Sequence, residues 1–132
     1  MKVVINGDYG GFGLSEEAVD RYIELAGLKL YKHKDPKWDT TSYYTVPYEE
    51  FEKVNAADRE KGNYADSNAL CWSYHEIARN DPILVQVVKL LGERVNSTYS
   101  SLKMVDIPLD VQWTIEDYDG WEHVAEKHRT WR

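Results

Sequence analysis

One cysteine, Cys71, is all the sequence holds, so neither an internal disulfide framework nor a paired-cysteine metal motif is available, and a reducing cytoplasm is the expected compartment. Long apolar runs are missing too. The opening Val3-Val4-Ile5 is too short for a signal-peptide core and no later stretch approaches a membrane span, so the chain is expected to stay where it is made, without a membrane partner. Positive charge is scarce: 16 Lys and Arg against 23 Asp and Glu leave a net charge of −7. That argues against general nucleic-acid binding, because duplex affinity comes largely from Lys and Arg neutralising phosphates. Internal repeats, low-complexity tracts and linkers are absent, and 132 residues suit a single domain spanning 1–132.

What the chain does have is aromatic side chains: ten Tyr, five Trp and two Phe, residue types that serve cores, subunit interfaces and base-stacking pockets alike. Their abundance points to a binding surface without naming its ligand. If that ligand is an anion, the positive charge that meets it has to be local.

The order of elements predicts an α+β fold: a small mixed or antiparallel sheet, two main helices and a C-terminal β-hairpin. Lys2 to Asn6 reads as a buried strand, followed by the loop Gly7-Asp8-Tyr9-Gly10-Gly11-Phe12-Gly13-Leu14. Ser15 is a natural N-cap, and Val19, Tyr22, Ile23 and Ala26 share one helical face before Gly27. A short strand follows over Leu28–Lys32. From Trp38 to Asn68 the periodicity is poor; Pro47 could open a short helix carrying Tyr48, Phe51 and Val54, and the segment is expected to be ligand-facing or partly mobile. Leu70 to Ile77 alternates like a strand. The strongest helix signal comes next, with Asp81 as N-cap, Pro82 at the first position, and Leu84, Val88, Leu91 and Val95 in a stripe that Val87 and Leu90 widen; Gly92 is expected to permit a close approach to a neighbour. Leu102–Ile107 and Val111–Ile115 are strand candidates. Asp119-Gly120 is the dipeptide of a type I′ turn, which pairs Ile115 with Val124 and Trp113 with Glu126 and turns Val111, Trp113, Ile115 and Val124 toward the core.

Two places could hold an anion. The glycine loop between strand and helix could present backbone N–H groups and a helix N-terminus to a phosphate, yet Gly7, Gly10, Gly11 and Gly13 fit neither a dinucleotide fingerprint nor a P-loop, so a plain tight turn is the simpler reading. Phe12 inside it could be a stacking platform or an interface anchor. The run Glu126-Lys127-His128-Arg129-Thr130-Trp131-Arg132 gathers cations, a histidine and an indole in an otherwise acidic chain; it reads equally as a phosphate site or as a solvated tail offsetting Glu122 and Glu126. Nothing assembles into catalysis or metal binding. His123 and His128 fall on opposite faces of a strand, His33 and His75 lie in other segments, and Cys71 reads as a buried small hydrophobe. The carboxylates Glu116, Asp117, Asp119 and Glu122 read as a solvated hairpin end. No catalytic set, metal site or cofactor is therefore expected.

Taken together, the opening VVINGDYGGFGLSEEAVDRY, the central RNDPILVQVVKLLGERVN and the closing IPLDVQWTIEDYDGWEHVAEKHRTW resemble a small family of phage and prophage proteins, the first type of Thoeris anti-defence protein. The resemblance covers both ends and the helix after Asp81; Tyr43 to Asn68 has no counterpart in it. It implies a sponge that traps glyco-cyclic ADP-ribose signals made by bacterial TIR proteins without cleaving them, in the cytoplasm of the infected host. It also implies homo-oligomers, dimers or hexamers, some of which hold cyclic di- or trinucleotides at separate sites. Carried onto this chain, the resemblance assigns Arg129 to the pyrophosphate, with His128 beside it, and Phe12 or Trp113 to base stacking. Asn96 and the Gly10-Gly11 backbone fall to ribose or phosphate hydrogen bonds, and Arg79 is a second cation. Two other classes compete: a phage-encoded module that inhibits a host protein through an acidic, aromatic surface, and a nucleotide hydrolase or lyase acting on the same signals.

Overall fold

The computed structural model describes residues 1–127, and among them the chain forms seven strands and four α-helices, an α+β fold. It divides into two compact units, one made by Met1–Ala26 with the chain from Ile77 onward, the other by Gly27–Glu76.

The first unit is built on β1 (Lys2–Asn6), where Val3, Val4, Ile5 and Asn6 are all buried. A strand covered on both faces needs a continuous apolar run rather than alternation, which Val3-Val4-Ile5 supplies. One edge of β1 pairs antiparallel with β5 (Leu102–Asp106), Val4 opposite Met104. The other edge is met by Arg79, whose carbonyl accepts from the Val4 N–H at 2.8 Å. Helix α1 (Glu16–Ala26) starts where expected: the Ser15 hydroxyl accepts from the Ala18 N–H at 3.1 Å, and Ala18, Val19 and Tyr22 are buried. Helix α4 (Pro82–Leu91) buries Leu84, Val87, Val88 and Leu91 and packs against α1, β1 and β5. Asp81 caps it, its Oδ1 accepting from the N–H groups of Ile83 and Leu84 at 2.8 and 3.2 Å.

Two details of α4 differ from expectation. Val95 is buried, but in a 3-10 turn, Gly92–Val95, because Gly92 adopts φ 57 and ends the α-helix. A Cβ on Gly92 would meet nothing, so this glycine terminates a helix and does not bring a neighbour close. Leu90 is exposed and does not widen the stripe.

The hairpin of β6 (Trp113–Tyr118) and β7 (Trp121–Glu126) has the expected register, with Ile115 opposite Val124 and Trp113 opposite Glu126. Asp119 and Gly120 both have positive φ, 51 and 89, as a type I′ turn requires. Val111, Trp113, Ile115 and Val124 are half-buried.

In the second unit, β2 (Tyr31–Lys34) pairs with β3 (Thr41–Tyr44), and β3 with β4 (Cys71–Trp72). The first of these strands starts three residues later than Leu28 and runs to Lys34. Helix α2 (Tyr48–Lys61) does begin after Pro47, but continues for 14 residues, and the short α3 (Ala65–Asn68) follows. Asp58 on α2 is buried and its Oδ2 accepts from the Ser67 N–H at 2.7 Å, joining the two helices. The strand expected over Leu70–Ile77 stops after Trp72. Ser73 turns the backbone instead, its hydroxyl accepting from His75 N–H at 3.2 Å and its carbonyl from Glu76 N–H at 3.1 Å, and Tyr74–Glu76 is a 3-10 turn.

Candidate functional site

The loop after β1 and the turn of the hairpin lie against each other. Gly10 donates its N–H toward the Asp119 carbonyl at 3.5 Å, and a Cβ on Gly120 would collide with the backbone nitrogens of Gly11 and Gly10. A Cβ on Gly10, at φ 111, would run into the carbonyl oxygen and Cβ of Tyr99. The glycines are thus needed for close backbone approach on both sides of the loop. Between them Gly10, Gly11, Asp119 and Gly120 line an open depression of about 430 Å³.

Four exposed aromatic residues flank these glycines in the chain or in contact. Tyr9, Tyr99, Tyr118 and Trp121 are 51, 75, 74 and 45% exposed, although each would lose hydrophobic surface by burial. Tyr9 and Trp121 stand edge to face, centroids 5.1 Å apart and planes at 82°. Tyr118 and Trp121 are cross-strand partners and share a face of the hairpin.

Beneath the tip sits a polar knot. Glu122 is buried, its Oε1 and Oε2 accepting from Arg79 Nη1 at 2.7 Å and Nη2 at 2.9 Å, and Oε1 accepting also from the Asn6 N–H at 2.8 Å. The Arg79 guanidinium lies 3.5 Å over the Phe12 ring centroid. The Asn6 amide donates to the carbonyls of Asp8 and Gly120 at 2.5 and 2.7 Å, while its Oδ1 accepts from the Ser101 N–H at 2.8 Å. Burial alone would raise the Glu122 pKa; the hydrogen bonds from Arg79 and Asn6, with the Arg79 charge, outweigh it and hold the carboxyl below its ordinary range.

The residues singled out in the sequence are therefore distributed as follows. Gly10 and Gly11 line the depression, and Phe12, next in the chain, carries the Arg79 guanidinium on its ring. Arg79 is engaged by Glu122, so its charge is neutralised within the fold. Asn96 lines a separate cleft of about 600 Å³ with Gly92, Glu93 and Lys103, and its Oδ1 accepts from the Leu102 N–H at 2.8 Å. Trp113 is at the far end of the hairpin from the turn, opposite Glu126. His128 and Arg129 lie outside the described residues.

Two sequence readings are corrected. Glu122 is not part of a solvated hairpin end: it occupies the inward side of β7, in line with Val124. Its signal was the strand alternation, which puts a carboxylate on the apolar face and so demands a buried cation. Cys71 is exposed, not enclosed, its Sγ 3.6 Å from the Ser67 carbonyl. Desolvation at the sulfur raises its pKa, which keeps it a thiol and not the nucleophilic thiolate. The aromatic quartet was missed because its members come from three separate segments and the rings carry no motif.

No protein-family model, curated protein or solved structure matches this chain. Among the described residues no helix is long and apolar enough to cross a membrane.

Proposed function

We propose that this protein binds a cyclic ADP-ribose-type nucleotide and sequesters it without cleaving it, as an anti-defence sponge in an infected bacterium. The reading is carried by one observation: the exposed rings of Tyr9 and Trp121 meet edge to face, each next in the chain to a glycine that lines a depression at the tip of the first unit. Small-molecule sites are concave, of about 300–1,000 Å³, and combine aromatic lining with a few placed polar groups. The exposed rings supply stacking surface. Tight retention requires slow release rather than a tuned acid, base or nucleophile. The resemblance of the opening, central and closing segments to the Thoeris anti-defence family adds the ligand class, an oligomeric assembly, and Arg129 as the pyrophosphate partner.

The acidity of the tip favours a second reading. Asp8, Asp117 and Asp119 stand beside the exposed rings, a surface that suits a basic segment of a host protein.

Calorimetric titration with glyco-cyclic ADP-ribose isomers, followed by heating the complex and weighing the released nucleotide, separates the possibilities. Tight binding with intact recovery supports the sponge. Recovery of altered nucleotide would make the protein an enzyme. Absence of binding by every isomer would overturn nucleotide capture and leave the protein-docking reading, to be pursued by pull-down.

A further inference from the structure

We infer that the tip formed by the glycine loop and the hairpin turn recognises the nucleoside part of its ligand, base and ribose, and leaves the phosphates to another surface. This rests on the nucleotide-binding reading above and assigns the stacking to Tyr9 and Trp121.

The geometry of that pair is the starting point. With planes at 82° and centroids 5.1 Å apart, the two rings form a corner. A flat base laid parallel to either ring is offset-stacked on it and edge-to-face with the other, so one pose satisfies both favoured aromatic arrangements. The depression lined by their chain neighbours Gly10 and Gly120, about 430 Å³, is within the range of small-molecule sites.

Electrostatics decides which part of a nucleotide can sit there. Asp8 precedes Tyr9 and its Oδ1 accepts from the Tyr9 N–H at 2.7 Å; Asp117 Oδ1 accepts from the Gly120 N–H at 2.8 Å; Asp119 borders the depression. Each of those bonds uses only part of a carboxylate's acceptor capacity. Carboxylates repel a phosphate but accept hydrogen bonds from a ribose diol, as the acidic residue of dinucleotide sites does. Arg79, stacked on Phe12 of the loop, is bound to Glu122, and Lys103, whose stem packs against Gly7, lines the separate cleft with Asn96. Base and sugar therefore fit the tip, and the diphosphate does not.

Adenosine, which has no phosphate, is the probe, with inorganic pyrophosphate as its counterpart. Adenosine should bind the intact protein saturably and quench Trp121 fluorescence, with an affinity unchanged between about 50 and 200 mM salt, a range over which phosphate-led binding weakens steeply. Pyrophosphate should not displace it. Trp121→Leu or Tyr9→Leu should weaken adenosine on the order of 10- to 100-fold, and Trp121→Phe should retain binding by calorimetry while losing the quench. Absence of saturable adenosine binding, unchanged affinity in the two leucine variants, or displacement by pyrophosphate would each overturn the inference. The two proposals fail separately. Full-affinity capture of a cyclic ADP-ribose isomer by both leucine variants removes the tip and keeps the sponge, whereas adenosine seated at the tip with no isomer captured does the reverse.

Discussion

Glu122 and Arg79 show how much one residue pair can govern. Both are largely withdrawn from solvent, 6 and 23% exposed at the side chain, and each answers the other's charge. Removing one partner of such a pair leaves an uncompensated buried charge. Glu122→Gln should lower unfolding stability by about 3 kcal/mol in urea titrations, and Arg79→Met combined with it should recover part of that loss. The native pKa of Glu122 lies below its ordinary value, so its contribution is complete above the ordinary glutamate range and disappears as pH falls through the lowered native pKa. The acid limb of a stability profile should therefore become shallower in Glu122→Gln. Tyr22 carries the opposite sign. Burial first, then its hydrogen bond to Asp81 Oδ2 at 2.9 Å, pushes its pKa up to about 12, so its contribution is present below pH about 10 and is lost between there and the native value. Ultraviolet titration of the native protein should find the Tyr22 phenol ionising late, together with Tyr48, whose pKa burial and Glu52 also raise.

Among the elements, α4 and the hairpin were readable because each carries a local signal that context reinforces. Asp81→Ala should cost about 1 kcal/mol through the lost cap, and it should also lower the late Tyr22 titration part of the way, since burial, the larger cause, remains. Gly120→Ala should be worse than an ordinary turn substitution. It adds positive-φ strain, and its methyl collides with the Gly10 and Gly11 backbone, so amide chemical shifts should move in the glycine loop as well as in the hairpin. Where local signals are weak, the fold departs from the pattern. Helix α2 buries Asp58 rather than a long apolar stripe, so its periodicity breaks after Val54, and its pairing with Ser67 lies in the fold, not in the pattern. Leu70–Ile77 alternates as a strand does, but a serine side chain competing for backbone N–H groups outweighs alternation. The Arg79–Glu122 pair joins residues 43 apart, and neither carries a motif. Of the candidate site, Gly10 and Gly11 were visible from composition, while Tyr9, Tyr99, Tyr118 and Trp121 converge only after β1, the hairpin and the segment before β5 are folded.

For the molecule as a whole, the division into two compact units predicts two stability classes. Native-state hydrogen exchange of Glu122→Gln should lose protection at Val4, Asn6 and the α4 amides, whereas Tyr44 and Ser67 amides should exchange as in the parent protein. Uniform loss of protection would mean that the units unfold as one.

The same division carries a chronology. Gly27–Glu76 is one uninterrupted stretch, but the first unit is assembled from segments on either side of it. On the ribosome the inserted unit can fold as soon as it clears the exit tunnel, while β1 and α1 wait for residues translated later. Arg79 emerges before its counter-ion, and the last anchor of the buried Asn6 amide, the Gly120 carbonyl, arrives at nearly the same moment as Glu122. Closure of the first unit thus follows synthesis of the inserted one. The glycine loop, made well before the hairpin turn, acquires its shape only when that turn is delivered to it.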